Sequence, residues 1–171
     1  DESTCGLSAG DSLTLYDLIC GLLLQSGNDC AAAIAEHISG SQEAFAELMN
    51  TEAKQLGATG THFVNPHGLH DENHYTTTYD LYLMFNEALK DQAFLDIISM
   101  NSYTAKVTSA DGTSYTPTWQ ATNYYSAGEA TPPDGIHVYG GKTGTTDQAG
   151  NCVILYEKNT AGEPYISVIM G

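Results

Sequence analysis

The sequence predicts an α+β fold, with a mainly helical part over residues 12–100 followed by a mainly β part over residues 101–171, in one domain spanning 1–171. Three observations carry this reading. Apolar residues at helical spacing and helix caps crowd into the first hundred positions. Tyr, Thr and Val become frequent after about Asn101. No alternation of strand and helix of the kind that builds a doubly wound parallel sheet interrupts that order. A length of 171 residues with 42% hydrophobic content suits one core and leaves too little chain for two.

The elements follow in order. Thr14 and Asp17 form an S/T-x-x-D capping pair within the apolar run Leu13 to Leu24, predicting a helix from Leu15 to about Gln25. Asp17 and the shortness of the run make this a core helix and not a membrane span. Ser26-Gly27-Asn28 interrupts it as a tight corner, and the Ala-rich stretch from Ala31 continues as a second helix to about Ile38, stopped by Ser39-Gly40. A third helix begins near Ser41, carries Phe45, Leu48, Met49 and Leu56 at helical spacing, and ends at Gly57. Thr77 and Asp80 cap a fourth, through Tyr82, Met84, Phe85 and Leu89, and Phe94 to Ile98 adds a short one. Asp111-Gly112 between Tyr103–Val107 and Thr113–Thr118 predicts a hairpin. Val138 to Thr145, Asn151 to Glu157 and Tyr165 to Met170 are the last three strands, the final pair joined by the turn-forming stretch Lys158 to Pro164.

Charge excludes several functions. Five cations, all lysines, stand against 21 carboxylates, a formal net charge of −16. Nucleic-acid binding is thereby excluded, adhesion to an anionic membrane is disfavoured, and no run of 18 apolar residues exists to span a bilayer. Asp1-Glu2 has neither the basic start nor the apolar run of a signal peptide, so the reading is of a mature or trimmed chain that is soluble as given. Cys5, Cys20, Cys30 and Cys152 show no C-x-x-C spacing. They could form two disulfides, although a chain of this size does not need them, and four free, mostly buried thiols are expected.

Three motifs are decoys. Gly6-Leu7-Ser8-Ala9-Gly10 matches the G-x-S-x-G elbow but lacks the strand before it and the helix directly after it. Gly135 to Gly140 has the gap of a phosphate loop, yet Gly141 stands where the lysine belongs. His67, His70 and His74, with Asp71 and Glu72, carry zinc-ligand chemistry, but Asn65-Pro66 and Gly68 make this a loop with no helix face to align them, so no metal is expected.

Two short motifs remain: Ser26-Gly27-Asn28 at a helix corner and, 116 positions later, Lys142-Thr143-Gly144 on a strand. Each is weak alone. Their order matches the second and third elements of the S-x-x-K, S-x-N, K-T-G set of penicillin-recognising serine acyl transferases. The flanks extend the match: Leu18 to Glu36, Met49-Asn50, Leu56-Gly57, Thr61 to Leu69, Thr76 to Asp80, Gly141 to Thr146 and Ala149-Gly150. The chain thus resembles the D-alanyl-D-alanine carboxypeptidases among the low-molecular-mass penicillin-binding proteins.

That resemblance implies a β-lactamase/transpeptidase-like fold and a serine-type carboxypeptidase acting on peptidoglycan D-Ala-D-Ala peptides through an acyl-enzyme. It implies an extracytoplasmic bacterial location, β-lactams as inhibitors of the full-length protein and no cofactor. By the same resemblance, Ser26 relays a proton toward the leaving amine and the Asn28 amide holds the substrate's peptide carbonyl. Lys142 supplies charge, Thr143 donates to the substrate carboxylate, Gly144 admits the substrate backbone and the Thr145 N–H is an oxyanion donor. Ser26 Oγ and Lys142 Nζ are then expected within about 3 to 7 Å of each other, on opposite walls of one cleft.

The first motif is missing. Stepping back three residues from each lysine gives Thr51, Glu87, Tyr103, Tyr139 and Leu155, so no S-x-x-K occurs. The nucleophile and its base are expected upstream of Asp1. Tyr165 to Gly171 resembles the family's last strand without the helix that follows it, so an incomplete sheet and a chain inactive by itself are expected. Two alternatives remain: a nucleophile-less penicillin-binding-like scaffold, and a class A-like β-lactamase, against which Gly27 argues because that class prefers S-D-N.

Overall fold

A computed structural model describes residues 2–171. Helix α1, Leu15–Cys20, opens with the reciprocal cap between Thr14 and Asp17. The buried Asp17 carboxylate also accepts from the Tyr103 hydroxyl at 2.7 Å, tying the start of the helical part to the β part. The expected continuous helix to Gln25 is not formed. Gly21–Gln25 is a π-helical turn, in which the Gly21 carbonyl accepts from the N–H of both Ser26 and Gly27 and Ser26 takes the left-handed conformation. The wider turn keeps Leu24 in the core and turns Ser26 out of it.

Helix α2, Asn28–Ser39, leaves this corner and ends at left-handed Gly40. Helix α3, Gln42–Gln55, is capped by Ser41, α4, Thr78–Ala88, by Thr77, and α5, Gln92–Ile98, by Asp91. Each cap gives the first turn an acceptor for N–H groups that have no partner within the helix. The Asp91 carboxylate takes two such donors, from Ala93 and Phe94.

The predicted hairpin is divided into two ladders. Strand β1, Ser102–Thr104, pairs antiparallel with β4, Thr118–Gln120, and β2, Val107–Thr108, pairs with β3, Ser114–Tyr115. Pro117 sits at the break, where its missing N–H cannot bond across, while its carbonyl still accepts from Ala105 N–H at 2.9 Å. A short helix, α6, Tyr124–Ala127, was not expected from the sequence and is capped by the buried Asn123.

Strands β5, Ile136–Thr146, β6, Gly150–Asn159, and β7, Pro164–Ile169, form one antiparallel sheet in that order. Its register runs from Ile136 opposite Asn159 to Thr146 opposite Gly150, broken by a bulge between Val138 and Gly140. The bulge brings β5 against the end of α5: a Cβ on Gly140 would lie 1.8 Å from the Ile98 carbonyl oxygen, and one on Gly141 would lie 1.9 Å from that of Ile154. Only glycine fits either place.

Two apolar clusters hold the parts together. One gathers Cys5, Leu18, Cys30, Ile34, Ala105 and Trp119; the other gathers Cys20, Leu24, Ile97 and Ala121. Both join α1 and its π turn to residues of the second half, and each large apolar side chain so buried contributes roughly 1.5–3 kcal/mol. Among the described residues no helix is long and apolar enough to cross a membrane.

Candidate active site

The corner and the K-T-G strand meet. Ser26 is the one non-glycine residue with positive φ among those described, at φ 60° and ψ 37°. The π turn imposes this conformation from one side; α2, with Gly27 as its N-cap, fixes it from the other. The result aims Ser26 Oγ at Lys142 Nζ on β5, 2.7 Å away. This is slightly closer than the range expected from sequence. Lys142 also donates to the Thr143 carbonyl at 2.7 Å.

Among the described residues Lys142 has no carboxylate partner, their single ion pair being Lys90 with Glu87. Burial without a counter-charge lowers its pKa from 10.5 to about 8. A half-dehydrated ammonium held by two neutral oxygens is a ready receptor for an incoming anion.

The flanking residues fall into place around this pair. Asn28 begins α2, its backbone N–H bonded to the Ser3 carbonyl at 2.9 Å, and its side chain lines the same cavity as Ser26 and Lys142. The Thr143 hydroxyl is 2.7 Å from that of Thr122. A Cβ on Gly144 would meet nothing within 4 Å, so the strand presents bare backbone to open space. Thr145 is exposed next to it and its hydroxyl donates to Asn151 at 3.3 Å. All six predicted residues, Ser26, Asn28, Lys142, Thr143, Gly144 and Thr145, line one cavity of about 1110 Å³ between the helical part and the sheet.

The histidine loop forms another part of the lining. His67 Nδ1 accepts from Leu69 N–H and His74 Nδ1 accepts from Val64 N–H, which leaves each ring's proton on Nε2. Burial holds both below the usual imidazole range. His70 is exposed and outside the lining. Sequence reasoning missed Thr122, whose loop is anchored by Asn123 capping α6 through Ser126 N–H at 2.9 Å. The N-x-x-S spacing of Asn123 and Ser126 was the available signal.

A helical cluster against an antiparallel sheet, with an S-x-N corner facing a K-T-G strand, defines the class of penicillin-binding and DD-transpeptidase folds. The solved DD-transpeptidase of a Streptomyces strain superposes with a TM-score of 0.88 at 30% identity, over 99% of this chain and 64% of that one. A penicillin-binding protein homologue from Mycobacterium tuberculosis gives 0.85 at 29%, over 100% and 61%. The model of the D-alanyl-D-alanine carboxypeptidase family matches residues 1–171, and the chain belongs to that family.

Among curated relatives, the D-alanyl-D-alanine carboxypeptidase DacA of Haemophilus influenzae is 32% identical over all of this chain, which spans 40% of its length. The enzyme of that name from a Streptomyces strain is 33% identical over 98% of this chain and 58% of its own. DacF of Bacillus subtilis reaches 45% over 84 residues, 22% of its length. The chain therefore spans well under two thirds of the curated relatives it matches.

Proposed function

We propose that this chain supplies two walls of a serine-type D-Ala-D-Ala carboxypeptidase, a hydrolase that removes terminal D-alanine from peptidoglycan stem peptides through an acyl-enzyme. Residues 1–171 act as one domain, with 12–100 and 101–171 contributing one wall each. The serine nucleophile and its lysine base belong to an S-x-x-K in a longer protein, outside these residues. The observation that carries this reading is the 2.7 Å contact of Ser26 Oγ with a half-buried Lys142 across the cleft.

The chemistry follows from that contact. An acyl transfer needs a route for the proton that reaches the leaving amine, and Ser26 with Lys142 provides a hydrogen-bonded pair for it. Lys142 and the Thr143 hydroxyl receive the terminal carboxylate, while the exposed edge at Gly144 takes the substrate as an added strand. The Thr145 N–H is one donor to the tetrahedral oxyanion and the Asn28 amide holds the peptide carbonyl. β-Lactams, which offer a carboxylate and an acylating carbonyl, occupy the same place. A cell-wall substrate sets the location outside the cytoplasmic membrane.

The test uses the longer protein with its S-x-x-K. Lys142→Ala is expected to lower kcat/KM on a D-Ala-D-Ala peptide by about 10² to 10³, the value of an oriented charge on a developing anion. Lys106→Ala, which alters an exposed lysine outside the cavity lining, is expected to leave it unchanged. Equal losses would reduce Lys142 to general charge, and normal turnover in Lys142→Ala would remove the carboxypeptidase reading. The 171-residue chain itself takes up no labelled penicillin; label on Ser26 would overturn its role.

A further inference from the structure

The S-x-N corner has a strap. Residues 3–7 run over the first turn of α2, where the Asp29 carboxylate accepts from the N–H groups of Cys5, Leu7 and Cys30 and from the Thr4 hydroxyl. The strap brings Cys5 Sγ and Cys30 Sγ together: with an Asp29 oxygen, they lie within 4.8 Å of one another. Both sulfurs fill space left by glycines of the corner. A Cβ on Gly21 would lie 2.6 Å from Cys30 Sγ and 2.9 Å from Cys5 Sγ, and one on Gly27 would lie 2.5 Å from Cys5 Sγ.

All four cysteines are free thiols in this structure, three of them buried, as the sequence leads one to expect. From the closeness of two of them we propose that Cys5 and Cys30 are a disulfide site under oxidising conditions, whose bond clamps the strap across the Ser26–Asn28 corner and closes a covalent loop around it. The other pairings are excluded by position. Cys20 is packed in the second apolar cluster with Leu24, Ile97 and Ala121, and Cys152 is on β6 of the sheet. A metal ion is the other occupant that two thiols and a carboxylate suggest, and it does not fit. The Asp29 oxygens are already taken by four donors, so the carboxylate is committed to the strap, and two thiolates alone fall short of the four ligands a structural zinc takes.

The redox balance is simple. Two S–H bonds break and one S–S bond forms, with two electrons and two protons passing to an external disulfide, a protein thiol oxidase in the cell or oxidised glutathione in the tube. Such an oxidant is available in the extracytoplasmic location proposed above. In the folded chain the neighbouring Cys5 thiol, then burial and the Asp29 carboxylate, hold the Cys30 thiol well above its ordinary range. Cys5 and Cys30 are also both buried, which keeps an external disulfide from reaching them in the folded chain, so the bond is expected to form as the chain folds.

The experiment refolds the chain in a glutathione redox buffer, which makes the outcome independent of where the cell places the protein. Alkylation after denaturation without reductant is expected to mark two cysteines, Cys20 and Cys152, on a protein about 2 Da lighter than the reduced form. Cleavage before aspartates puts the four cysteines in separate peptides, 1–10, 17–28, 29–70 and 147–171. Peptides 1–10 and 29–70 should travel as one species that reductant separates. Oxidised chain should melt roughly 10 °C above reduced chain, as expected for a loop of this length in a domain of this size.

Four alkylated cysteines, a link through Cys20 or Cys152, or one tightly held zinc per chain with both thiols unlinked would each overturn the proposal. Cys5→Ala should abolish the difference in melting between oxidised and reduced protein. Should that variant fail to fold, the wild-type comparison decides alone.

Discussion

Replacing Lys142 by Met tests directly whether its charge is held at a cost to folding. Met keeps most of the side-chain length and volume but has nothing to titrate. In the folded chain Lys142 has a pKa of about 8, against 10.5 for an exposed lysine. Between these values the unfolded chain still holds the proton and the folded chain has released it, so raising the pH through this window stabilises the fold. At pH 7 both states are charged, and the full cost of the buried ammonium is felt. A tenfold difference in proton affinity corresponds to about 1.36 kcal/mol, so the wild-type chain should gain on Lys142→Met by at most about 3 kcal/mol from about pH 7 to pH 10.5. Access of solvent to the cleft reduces this to about 2 kcal/mol. In a chain of this size that is a relative rise in Tm of about 4–8 °C, read by thermal melts of the two proteins at matched pH and salt. Tyrosines, cysteines and the other lysines titrate in both proteins and cancel. Melting curves that stay parallel to within about 1 °C over the window would refute the claim that burial depresses the pKa of the Lys142 ammonium.

Two other substitutions probe the scaffold behind the site. Gly140→Ala should cost more than about 4 kcal/mol, because its Cβ would overlap the Ile98 carbonyl. Gly162→Ala, at φ +80° in open space, should cost only about 1 kcal/mol; equal melting temperatures for the two variants would contradict this. Asp29→Ala removes the acceptor for four donors and should destabilise the chain by about 2–4 kcal/mol. Although burial pushes the Asp29 carboxyl up, its donors hold it below 3.8, so its contribution is present above about pH 4 and lost as the pH falls through the folded value. A loss of stability in Asp29→Ala that is as large at about pH 2 as at about pH 6 would count against the assignment.

Local chemistry was legible and tertiary closure was not. Thr14 with Asp17, and Thr77 with Asp80, announced two helix starts because a cap is complete within four residues. The K-T-G strand and its neighbours were read from β-branched and aromatic content, and Ser26, Asn28 and Lys142 from motif order. The π turn escaped because Gly21 to Gln25 is a good helical sequence, and what widens the turn lies elsewhere: two sulfurs and Trp119 crowding Gly21, and Leu24 drawn into the second cluster. Thr122 escaped for a similar reason. It is an ordinary threonine until β4 and α6 bring it to Thr143. Asp29 carried no signal of its own in the sequence, and only the returning strap makes it a fourfold acceptor.

The wide turn at Gly21–Gln25 also sets what lengths of chain this protein can tolerate. A π turn holds about one residue more than an α turn, and each α-helical residue rotates the chain by about 100°. Removing any single residue between Cys20 and Ser26 would let the segment relax into a regular helix, at little cost in backbone hydrogen bonds. It would also swing the serine about a quarter turn around the helix axis, away from Lys142. Leu22 and Leu23 pack against the two clusters and line the cavity, so apolar exchanges there keep the frame while a change in residue count does not; insertions and deletions in this stretch should be more damaging to the site than such exchanges.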